Sequence, residues 1–147
     1  MSDKSSYAPT EEDGPGTKAP ANWPRRVRLA LAWLAGLYLM TLFVRNGVQK
    51  FDPEGFWSAP FERWGYPTWL RILVGFVETA GGIGLLIPWL ASYAGVGLFV
   101  VMVGAFITRW GAGFPADLMW IAVYGLVSLW IAKEWWGLAL LRGKRLD

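Results

Sequence analysis

The stretch LALAWLAGLYLMTLFV, residues 29–44, decides the fold, because it runs for sixteen residues without a charge. A helix needs about 20 mostly apolar residues to cross a bilayer core of roughly 30 Å, and this stretch reaches that length when it is extended to Lys50. Three more apolar segments follow, at residues 72–90, 91–108 and 118–132, and Glu78 is the single charged residue within them. The sequence therefore predicts an all-α integral membrane protein with four transmembrane helices.

The composition supports this interpretation. The chain has 147 residues, enough for one domain, and 54% of them are hydrophobic, with eleven Trp. The alternative, four buried helices of a soluble bundle, would leave many more charged helix faces. The chain contains no Cys and no His, which excludes disulfides, dithiol chemistry and the usual haem, iron–sulfur and zinc ligands. We therefore expect no metal site.

Turn signals set the domain boundaries. We predict spans at about residues 26–50, 68–88, 90–109 and 115–136, within a transmembrane domain of residues 23–136. Residues 1–22 are polar, contain several Gly and Pro, and are predicted to form a disordered tail, while residues 137–147 are predicted to form a basic tail. Because the connections are short, sequential helices should be antiparallel neighbours in an up-down-up-down bundle.

The basic residues predict the orientation. Nine of the fourteen Lys and Arg lie in the two terminal segments and the second-to-third connection, and five lie on the other side. The excess of positive charge places both termini in the cytoplasm. Since the basic residues are sorted by topology, the net charge of +3 does not indicate a nucleic-acid partner.

Small and polar residues recur at helical spacing in every span and define one face of each helix. These faces contain Tyr38, Thr41, Arg45 and Gln49 in the first span, Arg71, Gly75, Glu78, Gly82 and Leu85 in the second, Gly97, Gly104 and Thr108 in the third, and Asp117, Tyr124 and Ser128 in the fourth. In lipid, helices pack with such faces inward. For the glycines, packing alone is a sufficient explanation.

Glu78 is the most informative residue, because it lies about ten residues, or roughly 15 Å, into the second span. A carboxylate at that depth must be protonated or paired. We predict an ion pair between Arg45 and Glu78, or between Lys50 and Glu78 if the helix register shifts.

Two interpretations of this pair remain open. In the first, the pair only fixes the helix register. In the second, it lines a polar intramembrane pocket that faces outward. That pocket would be formed by Arg45, Asn46, Gln49, Lys50, Glu78, Arg109 and Asp117. No nucleophile–base arrangement is present, so the sequence assigns no catalytic residue and leaves open whether the chain is an enzyme.

Three motifs resemble the DoxX-like family of small bacterial integral membrane proteins, over roughly residues 27–132. They are RNGVQKF at residues 45–51, WGYPTWLRILVGFVETAGGIGLLI at 64–87 and VVMVGAFITRW at 100–110. The family has a Gly-x-x-Lys-Phe element after its first helix, matched by Gly47, Lys50 and Phe51, and a Glu followed by Gly-Gly in its second, matched by Glu78, Gly81 and Gly82. The long N-terminal tail and the Trp-rich first outer connection depart from that pattern.

The resemblance implies a multi-pass protein of the bacterial cytoplasmic (inner) membrane with a loose association with redox biology. Related proteins are named for a thiosulfate:quinone oxidoreductase subunit, and others are linked to oxidative-stress complexes. Because the chain lacks redox-active ligands, electrons would have to be carried by a bound quinone or by a redox partner subunit.

Three functions therefore compete. The first is a subunit or quinone-binding module of a membrane redox system. Its candidate cofactor-binding residues are Arg45, Gln49, Lys50 and Tyr124. The second is a small proton-coupled transporter that uses Glu78 and requires a homo-oligomer. The third is a membrane scaffold whose partners bind the aromatic residues of the first outer connection, Phe56, Trp57, Phe61 and Trp64. All three functions place the protein in contact with the lipid bilayer as a partner.

Overall fold

The computed structural model describes residues 23–143 of the chain. Within that range the backbone forms five α-helices and one turn of 3-10 helix. These are α1 (Trp23–Gln49), α2 (Ser58–Arg63), α3 (Thr68–Gly84), α4 (Ala91–Gly111), the 3-10 turn (Pro115–Asp117) and α5 (Leu118–Gly143). The predicted all-α class is confirmed. The predicted tail at residues 1–22 lies outside the described residues, as do residues 144–147. The remainder of the predicted basic tail, residues 137–143, continues α5.

Three segments of the described chain are long and apolar enough to cross a membrane: Pro24–Gln49, Ala91–Gly111 and Pro115–Trp136. α3 is shorter, with 17 residues, or about 25 Å at 1.5 Å per residue. It ends before residue 88 because residues 85–90 form turns around Pro88, which has no N–H to continue a helix. A fourfold crossing and the side on which each terminus lies stay predictions.

The four long helices enclose one core. α1 packs against α3 and α5, and α4 packs against the same two helices. The core contains Leu39, Phe43, Leu98 and Ile131, each with at most 1% of its surface exposed. α4 and α5 approach closely at Gly95, where a Cβ would contact the Ser128 carbonyl oxygen.

Two glycines bring α1 and α3 together. A Cβ on Gly75 would lie 2.8 Å from the Gly47 carbonyl oxygen and 2.9 Å from Lys50 Cβ, and a Cβ on Gly47 would collide with the Thr79 hydroxyl. Only a glycine pair permits so short a separation of the two backbones. The crossing places the end of α1 directly against the α3 turn that contains Glu78.

The α3 face is the one that the sequence predicts. Arg71, Gly75, Glu78, Gly82 and Leu85 are all buried. They recur every three or four residues, so they form one stripe against the neighbouring helices.

The predicted inward face of α1 is wrong. Tyr38, Thr41, Arg45 and Gln49 are exposed. The buried face consists instead of small and apolar residues, Ala32, Gly36, Leu39, Phe43 and Gly47, and ends at Lys50. α1 therefore packs through shape and apolar contact, and its polar stripe lies on another side.

The faces of α4 and α5 agree with the prediction in part. On α4, Gly97 and Gly104 have open space where a Cβ would lie, and the face that packs contains Ser92, Gly95 and Leu98. On α5, Ser128 is fully buried and its hydroxyl donates to the Tyr124 carbonyl. The Ser92 hydroxyl donates to the Ala132 carbonyl at 3.1 Å and joins the two helices.

Candidate functional site

A cavity of about 480 Å³ lies between the four long helices and the connection of residues 50–67. Six residues predicted to form a polar pocket or bind a cofactor line it: Asn46, Lys50, Glu78, Arg109, Asp117 and Tyr124. The rest of the wall is mostly apolar and aromatic. A concave, largely apolar space with a few polar groups is the usual form of a small-molecule site.

The buried ion pair of the cavity wall joins Lys50 to Glu78. Lys50 Nζ lies 2.6 Å from Glu78 Oε2, and the two side chains are only 4% and 6% exposed. Of the two pairings that the sequence left open, this is the one that requires a register shift. Lys50 Nζ also lies 4.2 Å from the centre of the Trp57 ring, where a cation is attracted to the π-electrons. The Lys50 ammonium is therefore held between a carboxylate and an aromatic face.

Arg71 positions Lys50 from the other side. Its Nη1 donates to the Lys50 carbonyl at 2.6 Å and to the Asp52 carbonyl at 2.5 Å. Both carbonyls belong to the turn that follows α1, where they have no place in a helical hydrogen-bond ladder, so the buried guanidinium supplies their donor. Arg71 thereby fixes the chain where α1 ends.

A second ion pair lies where α4 ends and α5 begins. Arg109 Nη1 lies 2.6 Å from Asp117 Oδ2, with the side chains 20% and 51% exposed. The Arg109 guanidinium also lies 5.3 Å from the centre of the Trp64 ring and 5.9 Å from that of Trp57. The aromatic residues of the connection thus cover this end of the cavity.

A hydrogen bond attaches the connection to α4. The hydroxyl groups of Tyr66 and Thr108 lie 2.8 Å apart. Because the Thr108 hydroxyl also lies 2.9 Å from the Gly104 carbonyl, to which it donates, Tyr66 is the donor between the two hydroxyls. The connection is therefore held down at Tyr66 as well as at Arg109.

One polar atom at the site has no partner. Trp57 Nε1 is buried, and among the described residues it has no hydrogen-bond acceptor. Buried N–H groups are nearly always paired with protein or water, so Trp57 Nε1 can donate to a water or to a ligand.

The structure separates the predicted site residues into two groups. The six that line the cavity are brought together around the two ion pairs. Arg45 and Gln49 are exposed and lie outside it, so their assignment to the pocket, and to cofactor binding within it, is corrected. They follow the exposed face of α1, whereas Asn46 and Lys50 face inward.

Sequence reasoning missed the contribution of the connection. Of the four aromatic residues predicted to form an outer contact surface, Trp57, Phe61 and Trp64 line the cavity, and Phe56 is strongly exposed, at 72%. The sequence places Arg71 on the inward stripe of α3 but does not indicate its bonds to the turn that follows α1. Among the residues whose side chains the structure describes, 24–136, there is no group of three or more acidic, His or Cys residues that could hold a metal ion.

Comparisons with known proteins give one result. The model of the DoxX-like family matches residues 24–132, which is about three quarters of the chain and contains every cavity residue named above. No curated protein and no solved structure gave a significant match. The family match and the apolar helices together indicate a membrane location. The chain is a member of the DoxX-like family.

Proposed function

We propose that the cavity binds the ring of a membrane-soluble quinone, and that the protein acts as a quinone-binding module beside a redox partner in the bacterial inner membrane. The observation that carries this proposal is the largely apolar cavity of about 480 Å³, with several aromatic rings in its wall. Its volume falls within the range of roughly 300–1,000 Å³ that is common for small-molecule sites. Aromatic walls favour a flat ring.

The charges of the cavity favour a neutral ligand. Lys50 is matched by Glu78, and Arg109 is matched by Asp117, each at 2.6 Å. An ionic ligand beside the buried pair of Lys50 and Glu78 would leave one charge unmatched, which is costly. A quinone is uncharged and presents two carbonyl acceptors.

Donors for those carbonyls are present at the wall. Asn46 uses one amide N–H to bond the Leu42 carbonyl at 2.9 Å, which leaves its second N–H and its amide oxygen. Trp57 Nε1 lacks an acceptor among the described residues. An acceptor-bearing ring between these groups would satisfy both.

Purified protein tests the proposal. The full chain is extracted in mild detergent, its lipids are analysed for quinone by mass spectrometry, and a short-chain quinone is titrated while Trp fluorescence is followed. Asn46→Leu should weaken binding by about tenfold, equivalent to about 1.4 kcal/mol. Gln49→Leu, one turn away and outside the cavity, should leave it unchanged. An absence of binding, or equal effects of the two substitutions, would overturn the proposal.

The other two functions have less support. A scaffold that binds partners through the first outer connection would need Phe56, Trp57, Phe61 and Trp64 to be exposed, but the last three line the cavity. A proton-coupled transporter is favoured by one observation, the buried carboxylate of Glu78 on the cavity wall. It would be supported by a pH-driven flux in liposomes that Glu78→Gln abolishes.

A further inference from the structure

Gly104 marks the place where the cavity reaches the outer surface of α4. It lines the cavity, it is exposed, and a Cβ built on it would meet nothing within 4 Å beyond the backbone of its own helix. Val100 and Ile107, which share its side of the helix, are 61% and 65% exposed, whereas Val101 and Thr108 line the cavity. Gly104 therefore lies at the border between the outer face and the cavity face, and no side chain fills the space there.

Two contacts limit this open space along α4. On one side of it, a Cβ on Gly81 of α3 would lie 2.9 Å from Leu98 Cγ, so α3 and α4 touch there. On the other side, the Tyr66 and Thr108 hydroxyls lie 2.8 Å apart and join the start of α3 to α4. Leu98 and Thr108 are ten residues apart, or about 15 Å along the helix. The cavity wall between the two contacts contains Leu70 and Val74 of α3 and Val101, Gly104 and Ala105 of α4.

The open space faces the apolar layer of the bilayer. Gly104 lies seven residues before the last residue of α4, Gly111, which is about 10 Å along the helix. Because α4 has the length and hydropathy of a membrane span, Val100 and Ile107 beside the opening meet lipid tails. On α3, Leu73 lies between two cavity-lining residues in the sequence and is 48% exposed. Apolar side chains therefore flank the opening on both helices.

The route into the cavity from water is covered. The connection of residues 50–67 lies over the end of the cavity, with Trp57 and Trp64 beside the Arg109 guanidinium. The bond between Tyr66 and Thr108 holds the connection against α4. A ligand entering from water would have to displace these contacts, whereas a ligand entering beside Gly104 would not.

Gly97 provides an internal comparison for Gly104. It lies on the same side of α4, seven residues earlier, and a Cβ built on it would also meet nothing within 4 Å. Gly97 does not line the cavity, because α3 and α4 are in contact at the adjacent Leu98. Open space on the surface of α4 therefore occurs at both glycines, but it joins the cavity at Gly104.

We infer that the space beside Gly104, between α3 and α4, is a lateral opening through which the ligand enters from the bilayer and in which its apolar tail remains. The inference rests on the proposed function, because it assigns the tail of the molecule whose ring occupies the cavity. The ring passes sideways into the cavity, and the tail extends past Val100 and Ile107 among the lipid chains. The site therefore selects a flat, neutral ring that carries a hydrocarbon chain.

A photoreactive quinone tests the opening on the native chain. The probe is a benzoquinone with a prenyl tail and a diazirine in the second isoprenoid unit, and it is irradiated with the full-length protein in lipid nanodiscs. Adducts are located by peptide mass spectrometry, with and without an excess of the same quinone lacking the diazirine. We expect the competed adducts on the outward-facing residues that flank the opening, Leu73, Val100 and Ile107.

The outcomes of this experiment separate the opening from the proposed function. Competed adducts on α1, on α5 or in the connection of residues 50–67 would refute the opening, because the quinone would then bind while its tail leaves the cavity elsewhere. An absence of competed adducts would show that no saturable quinone site exists. In that case the proposed function fails, and the inference fails with it.

A pair of glycine variants tests passage through the opening. Gly104→Leu places a side chain in the open space, and Gly97→Leu is the matched control on the same side of α4 and away from the cavity. Binding of the tail-less ring is followed by Trp fluorescence in rapid mixing. Gly104→Leu should slow both association and dissociation by about tenfold or more and leave Kd nearly unchanged, since a narrowed passage hinders both directions equally.

Two results with these variants would contradict the inference. The first is an association rate that is the same in Gly104→Leu and Gly97→Leu. The second is a weaker Kd in Gly104→Leu with an unchanged association rate, because the new side chain would then act on the bound ring inside the cavity instead of on its passage.

Discussion

Replacing Glu78 by Gln should destabilise the protein by about 3–5 kcal/mol, because the Lys50 ammonium would then stay buried without a counter-charge. In the native protein the charged atoms of Lys50 and Glu78 are 2.6 Å apart, and the two side chains are 4% and 6% exposed. At this distance two unit charges attract each other by about 6 kcal/mol at an effective dielectric constant of about 20. The free-energy cost of removing both charged groups from water offsets most of that attraction. The pair therefore contributes little net stability, whereas one buried charge without its partner destabilises the protein.

The measurement is the free energy of unfolding in mild detergent, obtained by titration with SDS while Trp fluorescence is followed. Lys50→Met should also be destabilising, and the double variant should recover at least about 2 kcal/mol of the summed single losses. Asp117→Asn is the control, since Asp117 also pairs at 2.6 Å but is 51% exposed. It should cost no more than about 1 kcal/mol. The reasoning is refuted if Glu78→Gln costs no more than Asp117→Asn, or if the two single losses add without coupling.

Three further predictions use the same unfolding measurement. Gly75→Ala should cost about 1–3 kcal/mol, because the new Cβ would lie 2.8 Å from a backbone oxygen of α1. Gly97→Ala should be neutral or slightly stabilising, since a Cβ there meets nothing within 4 Å. Equal losses of stability in Gly75→Ala and Gly97→Ala would contradict the close crossing of α1 and α3. Arg71→Met should cost about 1–3 kcal/mol because two carbonyls lose their donor. Arg45→Met, at an exposed position, should change the free energy of unfolding little. A similar loss of stability in Arg71→Met and Arg45→Met would contradict this prediction. Tyr66→Phe should cost about 1 kcal/mol and speed hydrogen exchange in the connection that precedes α3, so unaltered exchange would count against that anchor.

The helical class and the inward face of α3 could be predicted from the sequence for a physical reason. Arg71, Gly75 and Glu78 cannot face lipid at low cost and recur at helical spacing, so one buried stripe is the only favourable arrangement. The same rule failed for α1. Arg45 lies near a helix end, where a long side chain can extend to the membrane surface, so its position did not require an inward face.

The candidate site was harder to predict because part of its wall comes from the connection of residues 50–67, which has no long periodic pattern. Trp57 and Trp64 lie in a connection whose path is set by distant contacts, at Arg71 and Arg109, that no local pattern records. The choice of Lys50 over Arg45 as the partner of Glu78 depends on the glycine crossing of α1 and α3. Arg45 and Lys50 are separated by little more than one helical turn along α1. Sequence periodicity does not fix the position of a helix finely enough to choose between them.

The predicted crossing of the membrane by α3 has a consequence for the surrounding lipid. Its 17 residues extend about 25 Å, whereas an average hydrocarbon layer is about 30 Å thick. A helix shorter than the layer is accommodated by local thinning of the bilayer or by movement of flanking residues toward the headgroups. We therefore expect the protein to favour bilayers of shorter acyl chains, and its ligand occupancy to change with membrane thickness even where every side chain is unaltered.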